Sequence, residues 1–260
     1  PTHLSPGSFH LASNMATPPS STLSSATYKP SATLTHEPFV APYVQPLKMI
    51  KTHDDLAKFQ KSHTMQVYVG FLEKCSTAVT GKKVSDEVPA SPIIARICDA
   101  YKVLGQYIDD IPPIQQPMRY GNKAFRGWLE KVRENSVSAM QGILPETLQD
   151  AAPELAYYWV EAFGNATRID YGTGHEMFMA AWLCCLELLG ATQPDDHAAM
   201  ILHCFNQYLI LMRRIQKTYM LEPAGSHGVW SLDDYQALPF VFGSAQLLTH
   251  KHISPKGIRQ

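Results

Sequence analysis

The sequence predicts an all-α fold, a multi-helix body with no significant sheet, and three observations predict it. Apolar residues recur at three- and four-residue steps through most of the chain after residue 50. These recurrences open on Ser, Thr, Asp or Pro signals and close on Gly or Pro. No pair of alternating runs is joined by a hairpin signal. With 45% apolar and 17% charged residues over 260 positions, the composition suits a buried core and excludes a disordered polymer or a coiled coil.

Residues 1–37 are rich in Ser, Thr and Pro with almost no charge, so they cannot offset their ordering entropy and are expected to form a disordered tail. They lack the arginines of a mitochondrial transit peptide. The folded domain is expected over 38–260. Thr52-His53-Asp54-Asp55 reads as a capping box opening one amphipathic run through Leu56, Phe59, Tyr68, Phe71, Leu72 and Cys75, stopped by Gly81. Ser91-Pro92 reads as an N-cap with proline at the first helical position, and Ile94, Ile97, Cys98, Tyr101, Leu104 and Ile108 form one stripe ended by Pro112-Pro113. Phe125, Trp128, Leu129, Val132 and Met140 mark the next helix. Another is marked by Leu148, Leu155, Tyr158 and Phe163. A long apolar helix follows from Gly174 to Leu189. Pro194-Asp195-Asp196 opens one that continues to about Tyr219, and a shorter one follows Asp233. Seven or more helices are expected, with no internal repeat.

Lys and Arg number 22 against 23 Asp and Glu, a net charge of −1, so nothing marks a nucleic-acid or anionic-membrane partner. The longest apolar run, Met177 to Leu189, contains Glu187 and falls short of the roughly 20 residues a membrane span needs. The five cysteines are irregularly spaced and mostly within helical patterns. They read as reduced thiols of a cytosolic or nuclear protein, with Cys184-Cys185 packing in the core.

Three segments depart from the helical pattern, and chemistry is expected there. They are Gln116–Lys123, Gly164–Glu176 and Leu221–Tyr235. In the second, Thr173 and Glu176 form a T-x-x-E capping box, and Gly172 and Gly174 flank a helix start that would suit either a phosphate nest or a plain capped turn. Neither the Walker nor the Rossmann spacing is present. His175-Glu176 is not a zinc motif, because Met179 stands where the second histidine would be. Asp170 and Glu176 suit Mg²⁺ with a phosphate, or equally cap helix ends and pair with Arg119 or Arg168. In the third, Gly225 and Gly228 allow close approach of backbone to a ligand, Ser226 and His227 add polar contacts, and Trp230 and Tyr235 either line a groove or close the core. Adjacent Ser and His do not make a triad. The residues alone point to a helical protein with a phosphate or nucleotide site formed by three loops.

These segments resemble the phosphotyrosyl phosphatase activator family, the activators of serine/threonine phosphatase 2A. The matching strings are Ile111-Pro112-Pro113 with Arg119 through Arg126, Gly164-Asn165 with Thr167 through Glu176, and Glu222 through Trp230 with Leu232 through Tyr235. Weaker agreement extends the match over roughly 38–260. The resemblance implies a helical fold of core, linker and lid parts, MgATP in a deep pocket, and a groove beside it for a proline-containing peptide. It implies a peptidyl-prolyl cis-trans isomerase and ATP-dependent chaperone, cytoplasmic and nuclear, that engages the phosphatase catalytic and scaffold subunits. A non-catalytic ATP-binding clamp assisting metal loading is the alternative, and a helical nucleotide hydrolase is a third reading.

On that resemblance, Arg119, Gly121, Asn122, Lys123, Gly172, Thr173, Gly174, Pro223, Gly225, Ser226, His227 and Gly228 are assigned to ATP. Asp170 and Glu176 are assigned to Mg²⁺, and Tyr171, Trp230 and Asp234 to the prolyl bond. Ser231 stands where the family usually has glycine. Past Pro255–Ile258 the family is expected to continue with further helices, so an exposed apolar helix face is expected near the end of this chain.

Overall fold

The computed structural model describes residues 42–225, 234–248 and 250–253. The tail at 1–37 and the residues Ser226, His227, Gly228, Trp230 and Ser231 lie outside the described residues. Helix α1 (His53–Gln60) opens as the spacing predicts: Thr52 Oγ1 accepts from the Asp55 amide at 3.1 Å, and the Asp55 carboxylate accepts from the Thr52 amide at 3.0 Å. The single run expected to reach Cys75 is instead two helices. Ser62 Oγ donates to the Phe59 carbonyl at 2.7 Å and accepts from the Met65 amide at 3.1 Å. One hydroxyl thereby closes α1 and caps α2 (His63–Ala78), a local bond that competes with helix continuity.

Helix α3 (Pro92–Asp110) begins and ends where proline dictates, but Ser91 does not cap it. Its amide and hydroxyl both go to the Asp196 carboxylate, at 2.7 and 2.8 Å. Helix α4 (Ala124–Ile143) follows, then a 3₁₀ turn (Glu146–Ala151), α5 (Ala152–Glu161) and α6 (Thr173–Leu188). The run expected from Pro194 to Tyr219 forms as one rod. It comprises a 3₁₀ turn (Pro194–Asp196), α7 (His197–Ala199), a π-helical segment (Met200–Phe205) and α8 (Asn206–Tyr219). Helix α9 (Leu238–Leu247) is the short helix expected after Asp233.

The fold is all-α, with α5 packed between α4 and α6. Its centre is aromatic: Trp159 stacks on Tyr101 with ring centroids 5.2 Å apart and packs on Trp182 at 4.7 Å and Phe163 at 5.1 Å. Trp159 Nε1 is buried without a hydrogen-bond partner, whereas two other buried indoles find one. Trp128 finds the Leu104 carbonyl at 3.2 Å and Trp182 the Met140 sulfur at 3.2 Å. The sole sheet among the described residues is a pair of two-residue parallel strands, β1 (Asp170–Tyr171) and β2 (Glu222–Pro223). Helix α9 buries Leu238 and Phe242, while Phe240, Val241, Leu247 and, just past it, Leu248 are exposed. No helix of the described residues is long and apolar enough to cross a membrane.

Asp196 links the starts of α3 and the rod, since besides Ser91 it accepts from the Gln193 amide at 2.8 Å, and it is only 2% exposed. Replacing it by alanine leaves two buried or half-buried amides without their acceptor. Asp196→Ala should therefore lower the urea unfolding free energy by about 2–4 kcal/mol, and Asp196→Asn by less, because an amide keeps one acceptor oxygen.

Candidate functional site

Helix α8 ends at Met220, whose backbone is left-handed at φ 50°. The last carbonyls of a helix have no partner within it. Here they are met by a distant segment: the Gly121 amide donates to the Met220 carbonyl at 2.7 Å, and the Asn122 amide to that of Tyr219 at 2.8 Å. Two residues on, Glu222 and Pro223 pair with Asp170 and Tyr171, and the Ala224 amide donates to the Tyr171 carbonyl at 2.8 Å. All three irregular segments thus meet at the C-terminal end of α8.

The junction concentrates unusual backbone. Gly121 (φ 67°), Gly164 (φ 115°), Ile169 (φ 54°), Met220 and Gly225 (φ 81°) are all left-handed. For β-branched Ile169 this costs on the order of 1–3 kcal/mol, which the surroundings must over-determine. They do so from both sides. The Ile169 amide donates to the Asn165 carbonyl at 2.8 Å, and the Asn165 amide to that of Asp170 at 3.0 Å. Asn165 Oδ1 accepts from the Thr167 and Arg168 amides at 3.0 and 2.9 Å, and Arg126 holds the Ala166 carbonyl at 3.0 Å. Gly172 is close-packed on β2: a Cβ there would lie 2.9 Å from that of Ala224.

In the first segment Asn122 is 8% exposed, and its side chain is committed to the loop itself. Its Oδ1 accepts from the Ile114 and Ala124 amides at 3.2 and 3.1 Å, and its Nδ2 donates to the Ile114 carbonyl at 2.8 Å. Gln116 closes the loop, donating to the Gly121 carbonyl at 3.2 Å and accepting from the Lys123 amide at 3.0 Å. Arg119 and Lys123 are exposed, with the Arg119 guanidinium 5.2 Å from the Tyr120 ring centre.

Asp170 and Glu176 are both buried. Arg168 donates to Asp170 Oδ2 at 2.5 Å, whereas Asp170 Oδ1 has no hydrogen-bond partner and faces His175 Nε2 at 3.9 Å. His175 Nδ1 lies 2.7 Å from the Glu161 carbonyl, an acceptor, so that nitrogen carries the proton. Burial pulls the His175 pKa down, which leaves Nε2 as a bare acceptor opposite Asp170 Oδ1. The expected T-x-x-E box does not form. The N-cap of α6 is Gly172, and Thr173 is already helical, so its hydroxyl is one position too late. Glu176 turns away and accepts from the Ala237 and Leu238 amides at 2.7 and 2.9 Å, capping α9 instead. Its other oxygen is buried without a partner, and burial raises its pKa. Among the described residues no group of three or more His, Cys, Asp or Glu is arranged to hold a metal.

Gly121, Asn122, Asp170, Tyr171, Gly172, Pro223 and Gly225 therefore converge, with Thr173, Gly174 and Glu176 on the adjoining first turns of α6. Tyr171 is fully buried. Because the Tyr208 hydroxyl donates to the Ala162 carbonyl at 2.7 Å, Tyr171 is the donor in its 2.8 Å contact with Tyr208, facing the core rather than a surface. Asp234 is exposed, while Tyr235 donates to the Leu221 carbonyl at 2.7 Å and so helps close β2 against the body. Sequence reasoning missed Gln116, Ile169, Met220 and Ala224. The latter three act through backbone geometry or close approach, which their side chains do not advertise. Beside Gly174 lies an apolar groove of about 370 Å³ between α2 and α5–α6, lined by Phe59, Val67, Tyr68, Tyr158, Phe178 and Leu188 among others.

A family model described as "Phosphotyrosyl phosphate activator (PTPA) protein" matches residues 46–260. The chain is 39% identical over 206 residues to "Probable serine/threonine-protein phosphatase 2A activator 1" of Dictyostelium discoideum, covering 79% of this chain and 63% of that one. It is 40% identical over 208 residues to "Serine/threonine-protein phosphatase 2A activator" of Drosophila melanogaster, covering 80% and 52%. The chain thus spans between half and two thirds of the length of these curated relatives. A crystal structure titled as the PP2A phosphatase activator Ypa1 PTPA1 matches with a TM-score of 0.72 at 34% identity, covering 79% of this chain and 65% of that one.

Two outcomes follow from this geometry. Gly172→Ala should cost about 1–3 kcal/mol by pushing β2 off β1, and Ala224→Gly in the same chain should recover part of it, as urea titrations of the four-member cycle will read. The raised pKa of Glu176 means the fold favours its neutral form. Its contribution is complete below the ordinary value near 4.5 and is lost as pH rises through the raised value. Glu176→Gln should flatten that loss in denaturation midpoints taken from pH 4.5 to 7, whereas Glu176→Ala should be destabilised at every pH.

Proposed function

The chain belongs to the phosphotyrosyl phosphatase activator family, and on that premise we propose that it activates serine/threonine phosphatase 2A as an ATP-dependent peptidyl-prolyl isomerase and chaperone of the phosphatase. The observation that carries the reading is the convergence of three separate family-matching segments on the end of α8. A second supports the cofactor. Asp170 Oδ1 and Glu176 Oε1 are the buried carboxylate oxygens among the described residues with no hydrogen-bond partner, and hard cations take such ligands together with phosphate oxygens.

On this reading the residues present fit MgATP. Asp170 and Glu176 would hold the Mg²⁺, with Arg119, Lys123 and the backbone at Gly121, Gly172–Gly174 and Pro223–Gly225 around the phosphates. Bound there, MgATP supplies dense, oriented charge beside the peptide. Asn122 acts through the loop it pins, and Tyr171 positions Asp170 and Gly172 from behind. The proline-containing peptide is assigned to the apolar groove that reaches Gly174, with Asp234 at the site's exposed edge. Rotation about a prolyl bond is opposed by amide resonance, and tighter binding of the twisted amide than of either planar form accelerates it without a nucleophile. The partners are the phosphatase catalytic and scaffold subunits, in cytoplasm and nucleus, where free thiols persist.

One observation favours the non-catalytic clamp: Tyr171, the fully described member of the expected prolyl site nearest the junction, is 0% exposed and cannot touch a peptide. The discriminating experiment is reactivation of metal-depleted phosphatase 2A core enzyme with and without MgATP, run beside a prolyl-peptide isomerisation assay. Reactivation that needs MgATP, and falls at least tenfold in Arg119→Ala and Asp170→Asn, is expected. Reactivation without peptide turnover selects the clamp. ATP binding unchanged in both variants overturns the site assignment.

A further inference from the structure

All five cysteines are free thiols. Burial pushes Cys184 up to about 12 and drives Cys75 and Cys185 well above the ordinary thiol value, so the adjacent pair Cys184-Cys185, of which Cys185 is half-buried, stays protonated and unreactive. Cys98, half-buried on α3, stands apart. Cys204 Sγ, from the π-helical segment, lies 3.9 Å from the Ile94 carbonyl, one helical turn before Cys98. A helical side chain leans back over the turn that precedes it, so Cys98 and Cys204 meet over the same turn of α3. Cys204 Sγ donates to the Ile94 carbonyl, and its nearness holds Cys98 below the ordinary value while Cys98 in turn raises Cys204; Lys102 adds to the first effect, while burial and Asp99 oppose it. Cys98 is reachable from solvent and Cys204 is 0% exposed.

We propose that Cys98 and Cys204 are a peroxide-sensitive dithiol, a modification site that reversibly links α3 to the rod ending at Tyr219. Cys98 thiolate attacks hydrogen peroxide, the S–O bond forming as O–O breaks and hydroxide leaves, to give the sulfenic acid. Cys204 then attacks that sulfur, the S–S bond forming as S–O breaks, and the departing hydroxide takes the Cys204 proton. Two thiols and one peroxide yield one disulfide and two waters, and a dithiol reductant reverses the change. The half-buried thiol meets the oxidant and the fully buried one resolves it, an order that suits a transient disulfide in a reducing compartment. The link adds a covalent tie between α3 and the rod, which already meet where Ser91 donates to Asp196 and where the Tyr219 hydroxyl donates to the Ile111 carbonyl at 2.7 Å.

The test treats the full chain with hydrogen peroxide, blocks remaining thiols under denaturing conditions, and maps peptides without reduction. The expected product is a Cys98–Cys204 linked peptide that disappears on dithiothreitol treatment, with Cys75, Cys184 and Cys185 blocked as thiols. In Cys204→Ala, labelling of Cys98 by dimedone should rise at least tenfold, because the sulfenic acid has lost its resolving partner. A parent chain in which both thiols stay blockable overturns the proposal, as does oxidation of Cys98 to sulfinic acid beside a free Cys204. In Cys98→Ser, Cys204 should remain reduced, and its oxidation at the parental rate overturns the assigned order even if Cys204→Ala fails to fold.

Discussion

The two carbonyls at the end of α8 are the constraint on which the rest of the site depends. Helices commonly satisfy such groups locally, with a glycine in the left-handed conformation just past the end. This chain places Met220 there and takes the amides of Gly121 and Asn122, about a hundred residues earlier, as the cap. The bonds fix where β2 leaves the helix, and hence the register in which Glu222 and Pro223 meet Asp170 and Tyr171. They also fix the loop bearing Arg119 and Lys123. A local economy at one helix end thus becomes the reason three remote segments share one location.

Polar groups around that junction divide into those consumed by structure and those left over. Asn122, Gln116, Asn165 and Arg126 spend their capacity holding loops, and Tyr171 spends its proton on Tyr208. What remains is Asp170 Oδ1 opposite a bare imidazole nitrogen, and one oxygen of Glu176. Leaving a buried polar atom unpaired costs about 1–3 kcal/mol, so such atoms commonly mark a ligand that completes them. The surplus is acceptors, which asks for a cation or a donor.

Much of the fold was legible in the sequence. The stripes through Ile94, Ile97 and Tyr101 and through Phe125, Trp128 and Val132 bury where their period says they should, and proline marks the helix start at Pro92. What escaped was tertiary reassignment of local signals. Ser62 reads as one more polar position in a long helix, yet it splits that helix. Ser91 and Thr173 have the identity and spacing of caps, but Asp196 outcompetes the first and Gly172 takes the place of the second. The three irregular segments were visible as departures from helical period. That they touch was not, because the contacts run through backbone amides and carbonyls that every residue possesses.

The account rests on those backbone bonds forming and breaking together. Native-state hydrogen exchange at the amides of Gly121, Asn122 and Ala224 tests this most directly, since each donates across the junction. Exchange of all three should be slow, with one shared opening free energy that Gly172→Ala lowers in concert. Three independent rates, or fast exchange typical of exposed loops at Gly121 and Asn122 while Ala224 stays protected, would contradict the claim that one helix end organises the site.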